Sequence, residues 1–453
     1  MQTNKIITIL LAFILYFTFG CSTAPTSAPL PSEEPTSTHP PKPLSPTPPE
    51  PTHSITPTPL PPTPNNAPIT AAAFPIGPGG SDVIPHQIVR TNNDFLYIFA
   101  IQQSSNILRA YHTKQPGFPN TTDDFAVPLE LPLASFPISV DVVYDGHTLI
   151  HVLTNSVSGE IQDHPFDIST NTFKTSLTLA TNGGIPAPGL YVGTSGISGM
   201  MDTNGIIHVA YWTNENHILH RAYTYDSTTN SLSPASDFTQ VDSTGNANHP
   251  ALAISPFDNS LTVAWVSETN DPAQILSRTR QSDGTWDDIE IASTAPVWTS
   301  KDNGINIDQG PSLLIDSNGT RHLTYIQLID YSVGDYGRIH YVTNNGSGWV
   351  DQPLNAFSHD PALAINSEGK LYIIGHGHPL NPSCQSMDEM CFIENNGTWS
   401  NPITFASPPA GFSFDCSPSV KWSVVGFNRP DIIEFIFFMT PYHEPTLYYG
   451  RIP

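Results

Sequence analysis

The residues that could bind or act on a ligand concentrate in long, irregular segments of the C-terminal half of the chain. Aromatic rings and carboxylates lie close together there, and histidines follow them. Aromatic faces can stack on the apolar faces of sugar rings, while carboxylates accept hydrogen bonds from hydroxyl groups. These segments supply the candidate ligand-binding residues Trp298, Asp330, Tyr331, Asp335, Tyr336, His359, Asp360, His376 and His378.

The three histidines among these candidates raise the question of a metal ion. His151, His208 and His322 recur at one second-strand position of a repeat, which predicts hydrogen-bonded side chains between blades. His359, His376 and His378 lie outside that position, and neutral imidazole binds divalent cations. A divalent cation is therefore an open alternative, although the sequence predicts no cofactor and no defined metal site. It contains no Ser-His-Asp elbow and no phosphate-binding glycine loop, so we assign no catalytic residue.

The composition excludes two classes of protein. The chain has 453 residues, with 40 Asp and Glu against 16 Lys and Arg, and a net charge of −24. A nucleic-acid binder needs Lys and Arg to displace counterions from phosphates, and this chain has too few. Thr, Ser, Asn, Pro and Gly replace the strong helix formers, which disfavours a helical bundle. The 38% of hydrophobic residues can still bury a large core.

The first residues of the chain resemble a bacterial lipoprotein signal. Residues 6–19 form an apolar run that is shorter than the about 20 residues of a membrane span, and Gly20 and Cys21 follow it directly. The resemblance implies a signal peptide over 1–20, cleavage before Cys21 and lipidation of its thiol. Thr18 departs from the pattern, because Leu is usual there. A plain N-terminal membrane anchor is the alternative.

A proline-rich segment follows Cys21. Residues 22–68 contain 17 prolines among 47 residues, mixed mainly with Ser and Thr. Such a composition cannot form a core and favours an extended polyproline II spacer. We therefore predict a disordered linker over 21–68 that holds a folded domain, residues 69–453, away from a membrane at the bacterial cell surface.

The folded domain consists of seven copies of one pattern, which start at residues 86, 137, 197, 250, 311, 361 and 418. Each copy has an apolar strand, a tight turn rich in Asn, Asp and Gly, and three further strands. This repeat predicts an all-β fold, a seven-bladed β-propeller of four-stranded antiparallel blades. The last copy ends after its third strand, and residues 69–76 can supply the missing strand and close the ring. Six blades with one stray copy are the alternative.

The repeat is similar to that of sialidase-type bacterial propellers. The shared elements are a P-[SA]-L-x-I strand, a D/N-x-G turn, an H-[VL]-x-Y strand and a later G-x-W, and they cover essentially all of residues 69–453. The resemblance implies the propeller fold, because such repeats specify fold far better than function. The segment Gln281–Trp286 is the nearest match to the family's Asp-box, but it is one residue too short between Asp and Trp.

Sialidase activity would also need three arginines that converge on a substrate carboxylate. The triplet Arg451–Pro453 lies at the C-terminus, whereas the family places its Arg-Ile-Pro near the start of the domain. Arg221 and Arg278 occupy a repeated third-strand position, which we align with Tyr341 and Tyr449 in other copies. A repeated position indicates scaffold more than catalysis.

Three cysteines remain beside Cys21, in a compartment that permits disulfides. Cys384 and Cys416 fall in loops that share one face of the propeller, whereas a bond between Cys384 and Cys391 would join one loop locally. Both pairings stay open, and one thiol is left over in either case.

The strands of a blade alternate in direction, so its connections fall on two faces. The loops that enter first strands and those that join second and third strands share one face, which we call the ligand face, and the long candidate segments lie there. Binding usually occurs in such loops on a rigid scaffold. The sequence favours a monomeric, membrane-anchored extracellular protein that recognises a glycan or a protein without catalysis. A surface glycoside hydrolase of sialidase-like architecture and a structural or assembly partner are the alternatives; nucleic acid is excluded as a partner.

Overall fold

The computed structural model describes residues 72–78, 86–102, 106–184, 196–297, 310–327, 337–358, 361–386, 389–407, 413–419, 432–440 and 446–452. They belong to one compact unit, Ala67–Pro453. This part of the chain is built of strands, with one short 3-10 helix at Thr122–Asp124. None of its helices has the length and apolar character to cross a membrane.

The strands form seven antiparallel sheets. Blade one contains β2 (His86–Arg90), β3 (Leu96–Gln102), β4 (Ile107–His112) and β5 (Leu129–Pro132). Blade two contains β6 (Pro137–Tyr144), β7 (Leu149–Ser156), β8 (Ile161–Asp167), β9 (Thr172–Phe173) and β10 (Leu177–Ala180). Blade three contains β11 (Ile197–Met201), β12 (Ile207–Trp212), β13 (Ile218–Asp226), β14 (Ser231–Pro234) and β15 (Thr239–Gln240).

The remaining four blades follow the same order along the chain. Blade four contains β16 (Ala247–Ile254), β17 (Leu261–Ser267), β18 (Gln274–Arg280) and β19 (Glu290–Ile291), and blade five contains β20 (Ser312–Ile315), β21 (Arg321–Gln327), β22 (Gly337–Asn344) and β23 (Val350–Ser358). Blade six contains β24 (Ala362–Ile365), β25 (Leu371–His376), β26 (Met390–Asn395) and β27 (Ile403–Ala406). Blade seven contains β28 (Ser413–Ser419), β29 (Ile433–Thr440), β30 (Thr446–Ile452) and β1 (Ala72–Pro78).

The blades form a closed ring. First strands of consecutive blades contact each other, and β28 of blade seven contacts β2 of blade one. Blade seven has the sheet order β1-β30-β29-β28, so its outermost strand comes from the N-terminal side of the domain. This confirms the predicted seven blades and their closure by an N-terminal strand. The six-bladed alternative is wrong, because all seven copies form sheets of their own.

A buried ion pair joins the first and last blades. The Arg90 guanidinium of β2 donates two hydrogen bonds to the Glu434 carboxylate of β29, one of them from Nε to Oε2 at 2.6 Å. Tyr449 of β30 donates to the same carboxylate at 2.6 Å. Burial alone would lower the pKa of Arg90, but Glu434 raises it, so the guanidinium stays charged. The pair therefore fixes blade one against blade seven.

A second arginine strengthens this junction. Arg451 of β30 donates to the Pro119 carbonyl at 3.0 Å and to Asn120 Oδ1 at 2.9 Å, both in blade one. The Phe118 ring lies 5.0 Å from the Arg90 guanidinium and 5.7 Å from that of Arg451. Both arginines thus act in ring closure.

The innermost strands of neighbouring blades are joined by a repeated hydrogen bond. A polar side chain on the first strand of one blade accepts a bond from a backbone N–H on the first strand of the next blade. The three bonds run from Gly199 N to Asp141 Oδ2 (2.7 Å), from Leu252 N to Ser198 Oγ (3.1 Å) and from Leu363 N to Ser312 Oγ (3.0 Å). The same register position therefore ties blade to blade and satisfies donors that no neighbouring strand could pair.

The tryptophan that begins the fourth strand has a similar repeated role. In blades four, five and six its ring packs on the third strand of the preceding blade. The contacts are Trp286 with the His220 ring (centroids 5.4 Å apart), Trp349 Nε1 with Ser277 Oγ (2.9 Å) and Trp399 with the Tyr341 ring (4.8 Å). The G-x-W element of the sequence thus acts in blade packing.

The histidines at the repeated second-strand position are also scaffold. His151, His208 and His322 are 1%, 4% and 6% exposed. Each contacts a third-strand side chain of its own blade. The pairs are His151 Nδ1 with Asp163 Oδ2 (2.7 Å), His208 Nδ1 with His220 Nε2 (3.1 Å) and His322 Nδ1 with Tyr341 Oη (2.6 Å). These are buried hydrogen-bonded pairs at blade interfaces, as the sequence predicts.

Replacing Glu434 tests the ring closure. Glu434→Gln leaves Arg90 charged and buried without its carboxylate, so we expect the free energy of unfolding to fall by about 3–5 kcal/mol. Glu130→Gln is the matched control, because it breaks the ion pair between Glu130 and Arg109, and the Glu130 side chain is 44% exposed. This change should alter the free energy of unfolding by less than about 1 kcal/mol. Urea unfolding followed by tryptophan fluorescence measures both, and equal losses would contradict the assigned role of Arg90 and Glu434.

A buried neutral histidine makes stability depend on pH. Burial lowers the pKa of His164 to about 4, although neighbouring Asp163 opposes the shift. Since His in an unfolded chain has a pKa near 6.5, the unfolded state binds the extra proton first as pH falls. Stability is therefore lost as pH drops from about 6.5 towards 4, by about 2 kcal/mol between pH 6.5 and 5.

The measurement is the free energy of unfolding at pH 6.5 and pH 5 for wild type and His164→Gln. The variant should show a smaller loss of stability than wild type, because burial also lowers the pKa of His220 and His322 and their share remains. His147→Gln, a change at an exposed turn residue, should keep the full loss. An equal loss in wild type and His164→Gln would contradict the contribution of His164.

Candidate functional site

The described residues next to the segments that carry most candidates lie at the ligand face, mainly in blade five. Val297 forms an isolated bridge with Gln327, the last residue of β21. Gln327 pairs with Arg338 in the β21–β22 ladder, and Gly337 pairs with Ser358, the last residue of β23. The residues that precede segments 298–309, 328–336 and 359–360, and the residue that follows 328–336, are therefore neighbours across adjacent strands.

Seven of the nine candidates lie in those segments and so outside the described residues: Trp298, Asp330, Tyr331, Asp335, Tyr336, His359 and Asp360. Cys21 lies outside them as well. The assignment of these residues to a ligand site stays a prediction.

We call Val297, Gln327, Arg338, Phe357 and Ser358 the blade-five rim. The Arg338 guanidinium lies 5.4 Å from the centroid of the Phe357 ring. The His378 ring of blade six stacks on Phe357, with centroids 5.6 Å apart and planes at 28°. Arg338 and Phe357 of the rim and the buried His378 ring of blade six therefore follow one another across the junction of the two blades.

A buried polar network supports the rim. The Tyr325 hydroxyl donates to Asp351 Oδ2 at 2.6 Å, and His340 Nδ1 lies 2.7 Å from Asp351 Oδ1. His340 Nε2 contacts Gln327 Oε1 at 3.0 Å, and both N and Oγ1 of Thr294 donate to Asp351 Oδ2 at 2.7 Å. Tyr325 and His340 are 1% and 4% exposed, so the network holds the strands of the rim in place.

The electrostatics of this network agree with a structural role. Burial would raise the pKa of Asp351, but hydrogen bonds from His340, Tyr325 and Thr294 outweigh it and lower the pKa to about 2. Burial, together with the hydrogen bond to the Asp351 carboxylate, raises the pKa of Tyr325. Asp351 is therefore a permanent anion and Tyr325 a permanent donor at neutral pH.

The two described candidates, His376 and His378, are 3% and 2% exposed. The backbone N–H of His376 donates to Ser358 Oγ at 2.8 Å, and His378 Nδ1 accepts from the Leu380 N–H at 3.1 Å. Burial lowers the pKa of His378, so its ring is neutral at physiological pH. His376 is thus a buried residue at the end of β25, and His378 packs inside the loop that joins β25 to β26 and supports Phe357.

The cysteines of this loop form the local pairing. Cys384 and Cys391 are joined by a disulfide with their Cα atoms 6.3 Å apart. Asn381 Nδ2 donates to the Cys384 carbonyl at 3.3 Å and to that of Phe357 at 3.2 Å. The disulfide and Asn381 fix the blade-six loop against the blade-five rim. Cys416 lies on β28.

The described residues form no group of three or more His, Cys, Asp or Glu side chains able to hold a metal ion. His359, part of the open metal alternative, lies outside the described residues. The divalent cation stays an open alternative.

The arginines considered for a sialidase-type site have scaffold contacts. Arg221 donates from Nε to the Ser236 carbonyl at 3.1 Å and lies 4.1 Å from the Phe238 ring. Arg278 donates from Nε to the Asp287 carbonyl at 2.7 Å. Arg451 contacts blade one at the ring closure. Arg221, Arg278 and Arg451 therefore each contact the scaffold, and these contacts do not support a shared site for a substrate carboxylate.

One detail of the repeat alignment is wrong. Arg221 and Arg278 do share a register position, since they pair with Val209 and Val263 at equivalent points of their second strands. Tyr341 and Tyr449, however, stand one residue earlier and are equivalent to His220 and Ser277. Because side chains alternate across a strand, this one-residue slip places the tyrosines on the opposite side of the blade from the arginines.

The Asp-box-like segment is a turn on the opposite face. Asp283 Oδ1 accepts from both N (2.9 Å) and Oγ1 (2.6 Å) of Thr285, and Gly284 has φ +94°. These hydrogen bonds lower the pKa of Asp283. The segment closes the connection between the third and fourth strands, where Trp286 begins its packing on blade three.

Sequence reasoning missed two polar features of the ligand face. His217 Nδ1 lies 2.9 Å from Asp242 Oδ2, and Asp242 also accepts from Ile218 N (2.8 Å) and Gly245 N (2.9 Å). The His217 side chain is 27% exposed, while that of Asp242 is 2% exposed. The second feature is Arg338. His217 and Arg338 do not lie in long segments, so a search by loop length could not find them. Their positions at strand ends on the ligand face are the signal that could have found them.

The architecture defines the class of the protein as a seven-bladed β-propeller with a loop-rich ligand face. Comparisons with protein families and with curated proteins find no match. Among solved structures, the chain is similar to the BP39L lectin from Burkholderia pseudomallei, with a TM-score of 0.58, 11% identity, and coverage of 82% of this chain and 96% of that chain. It is also similar to the polysaccharide lyase PL25-Ulvanlyase, with a TM-score of 0.54, 11% identity, and coverage of 83% and 95%. At such identities the likeness concerns the fold.

Proposed function

We propose that this protein binds an extracellular glycan through the ligand face of its propeller, without catalysis, while a lipid on Cys21 anchors it to the bacterial membrane. The observation that carries the proposal is that Val297, Gln327, Gly337 and Ser358, the described residues next to three candidate-bearing segments, lie side by side at the ligand face of blade five. Those segments contain aromatic residues and carboxylates, the side chains that suit sugar rings and their hydroxyls.

The comparisons support the glycan class. A lectin of the same fold, BP39L, aligns over 82% of this chain. A propeller can therefore serve as a lectin, and the ligand face described here has the chemistry for it. A protein ligand is the alternative within this proposal, because aromatic residues also suit protein interfaces.

A surface enzyme that cleaves polysaccharides is the second candidate, and the neighbouring polysaccharide lyase favours it. An enzyme would need converging ionisable groups open to a substrate. The titratable cluster found at the rim, Tyr325, His340 and Asp351, is buried, and the arginines of the sialidase hypothesis contact the scaffold. These contacts favour binding over the hydrolase.

The anchoring proposal rests on the signal-like residues before Cys21 and on the proline-rich linker of residues 21–68. Stable attachment takes more than one acyl chain, which lipidation of an N-terminal cysteine can supply. A tether of this composition would hold the propeller away from the membrane and leave its ligand face open to extracellular material.

A glycan array tests the binding function. Purified residues 67–453 should bind a limited class of glycans, and the double change Tyr331→Ala with Tyr336→Ala should weaken that binding about tenfold or more, because two stacking rings are lost. Phe257→Ala is the control, since this ring is 75% exposed but lies between β16 and β17 on the opposite face. A blank array would argue for a protein ligand, and release of saccharide products from array hits would favour the enzyme.

Metabolic labelling tests the anchor. Cells expressing the wild-type chain and fed an alkyne-bearing fatty acid should show a labelled protein in the membrane fraction. Cys21→Ala should abolish the label and release the protein from membranes, whereas Cys416→Ala should keep both. Unchanged label or unchanged membrane association in Cys21→Ala would contradict lipidation at this residue.

A further inference from the structure

His217 differs from the other histidines that contact an aspartate. Among the described residues, four more His–Asp contacts have a histidine side chain that is only 1–8% exposed: His151–Asp163, His208–Asp202, His322–Asp316 and His340–Asp351. The His217 side chain is 27% exposed, although that of its partner Asp242 is 2% exposed. This pair therefore keeps its carboxylate inside the fold and presents its imidazole at the surface.

The pair lies on the ligand face, where blades three and four meet. His217 is the residue before β13, in the turn that joins β12 to β13, and Asp242 lies in the connection from β15 to β16. The backbone N–H of Ala247 donates to the Asn216 carbonyl at 2.9 Å, so the turn and the connection run side by side. Both belong to the continuous described range 196–297.

Asp242 fixes the orientation of the imidazole. Its carboxylate accepts from Ile218 N at 2.8 Å and from Gly245 N at 2.9 Å, and Oδ2 lies 2.9 Å from His217 Nδ1. A carboxylate can only accept, so Nδ1 carries the ring proton and Nε2 keeps a lone pair. Gln240 Nε2 also lies 3.0 Å from Nδ1, but the bond to the carboxylate is charge-assisted and about twice as strong as a neutral one. His217 is therefore an acceptor held in one tautomer at the surface.

Neighbouring side chains supply the other contacts that a sugar needs. Trp212, at the end of β12, is partly exposed and donates from Nε1 to Asn216 Oδ1 at 3.3 Å. Because Oδ1 accepts this bond, the exposed Asn216 side chain offers its NH₂ group as a donor. The turn thus combines an aromatic surface, a donor and a fixed acceptor, which are the groups that bind sugar rings and their hydroxyls.

The charge around this turn disfavours an acidic ligand. Lys and Arg do not occur in residues 181–220 or 240–277, which include the turn and the connection, whereas Glu215 and Asp271 are exposed there. Arg278 reaches the region from the middle of β18, but it donates to the Val241 and Asp287 carbonyls. Like charges repel, so these carboxylates oppose the approach of a carboxylate or sulfate group.

We infer that the turn carrying Asn216 and His217 is a saccharide subsite, in which His217 Nε2 accepts a hydrogen bond from a hydroxyl group of a neutral sugar. This inference rests on the proposed glycan-binding function and specifies its ligand class and a contact region apart from the blade-five rim. Trp212 contributes apolar surface to the subsite. Asp242 is a positioning residue, because it holds the imidazole in the accepting tautomer.

NMR spectroscopy of isotope-labelled histidine tests the tautomer and the contact. Long-range proton–nitrogen spectra of the full-length chain should show the Nδ1–H tautomer for His217, whose signals are assigned by their loss in His217→Gln. The probe is the neutral array glycan that the wild type binds most tightly. Its addition should shift the Nε2 signal of His217, because a hydroxyl group then donates to this nitrogen.

Two substitutions test the binding contribution. His217→Gln and Asn216→Gly should each weaken binding of that glycan about twofold to tenfold, because each removes one hydrogen bond. Glycine suits position 216, where Asn216 adopts φ +60°, so the turn keeps its conformation. His151→Gln is the matched control, because it removes a His–Asp pair whose imidazole is buried. It should leave the affinity unchanged, even where it lowers the melting temperature.

An Nε2–H tautomer in the free protein, an unchanged Nε2 signal at saturating glycan, or wild-type affinity in both substitutions would overturn the inference. Array hits restricted to acidic glycans would overturn it as well, while the proposed function stands. If Tyr331→Ala with Tyr336→Ala weakens binding and His217→Gln does not, this inference alone fails. A blank array removes the proposed function and the inference together.

Discussion

The buried contact between Arg90 and Glu434 is the interaction on which the ring depends. The first and last blades of this propeller are joined covalently only by the chain between β1 and β2, so noncovalent contacts must keep the junction between them closed. Here β1 completes the sheet of blade seven, and the ion pair then fixes that sheet to β2 of blade one. Tyr449 and Arg451 add hydrogen bonds at the same junction. Since every ligand-face loop takes its position from neighbouring blades, an open ring would displace all of them.

The other junctions use weaker contacts that repeat. Asp141, Ser198 and Ser312 accept hydrogen bonds from the next blade at one register position, and three tryptophans pack on the preceding blade at another. Histidines fill a third repeated position with buried hydrogen bonds. Repeated polar residues in this chain therefore act in blade packing, and function must be sought in positions that occur once.

This distinction explains what the sequence could predict. The seven blades and their closing strand follow from the spacing of the copies and from the incomplete last copy, and the burial of His151, His208 and His322 follows from their shared position. The register of the third strands did not follow, because Tyr341 and Arg221 stand in similar sequence contexts yet pair one residue apart. Arg338 and the His217–Asp242 pair were missed because they are single residues at strand ends, and only three-dimensional neighbours show whether such a residue has a partner.

The candidate site joins these two levels of organisation. The blade-five rim is rigid because Asp351 receives hydrogen bonds from Tyr325, His340 and Thr294, and because the Cys384–Cys391 loop braces Phe357 from blade six. On that frame, loops of unrelated sequence end side by side. A frame that is fixed by buried polar groups allows its loops to vary without loss of the fold, so the specificity of the protein resides in residues that no repeat constrains. Arg338, whose Nε has no hydrogen-bond partner among the described residues, belongs to that set.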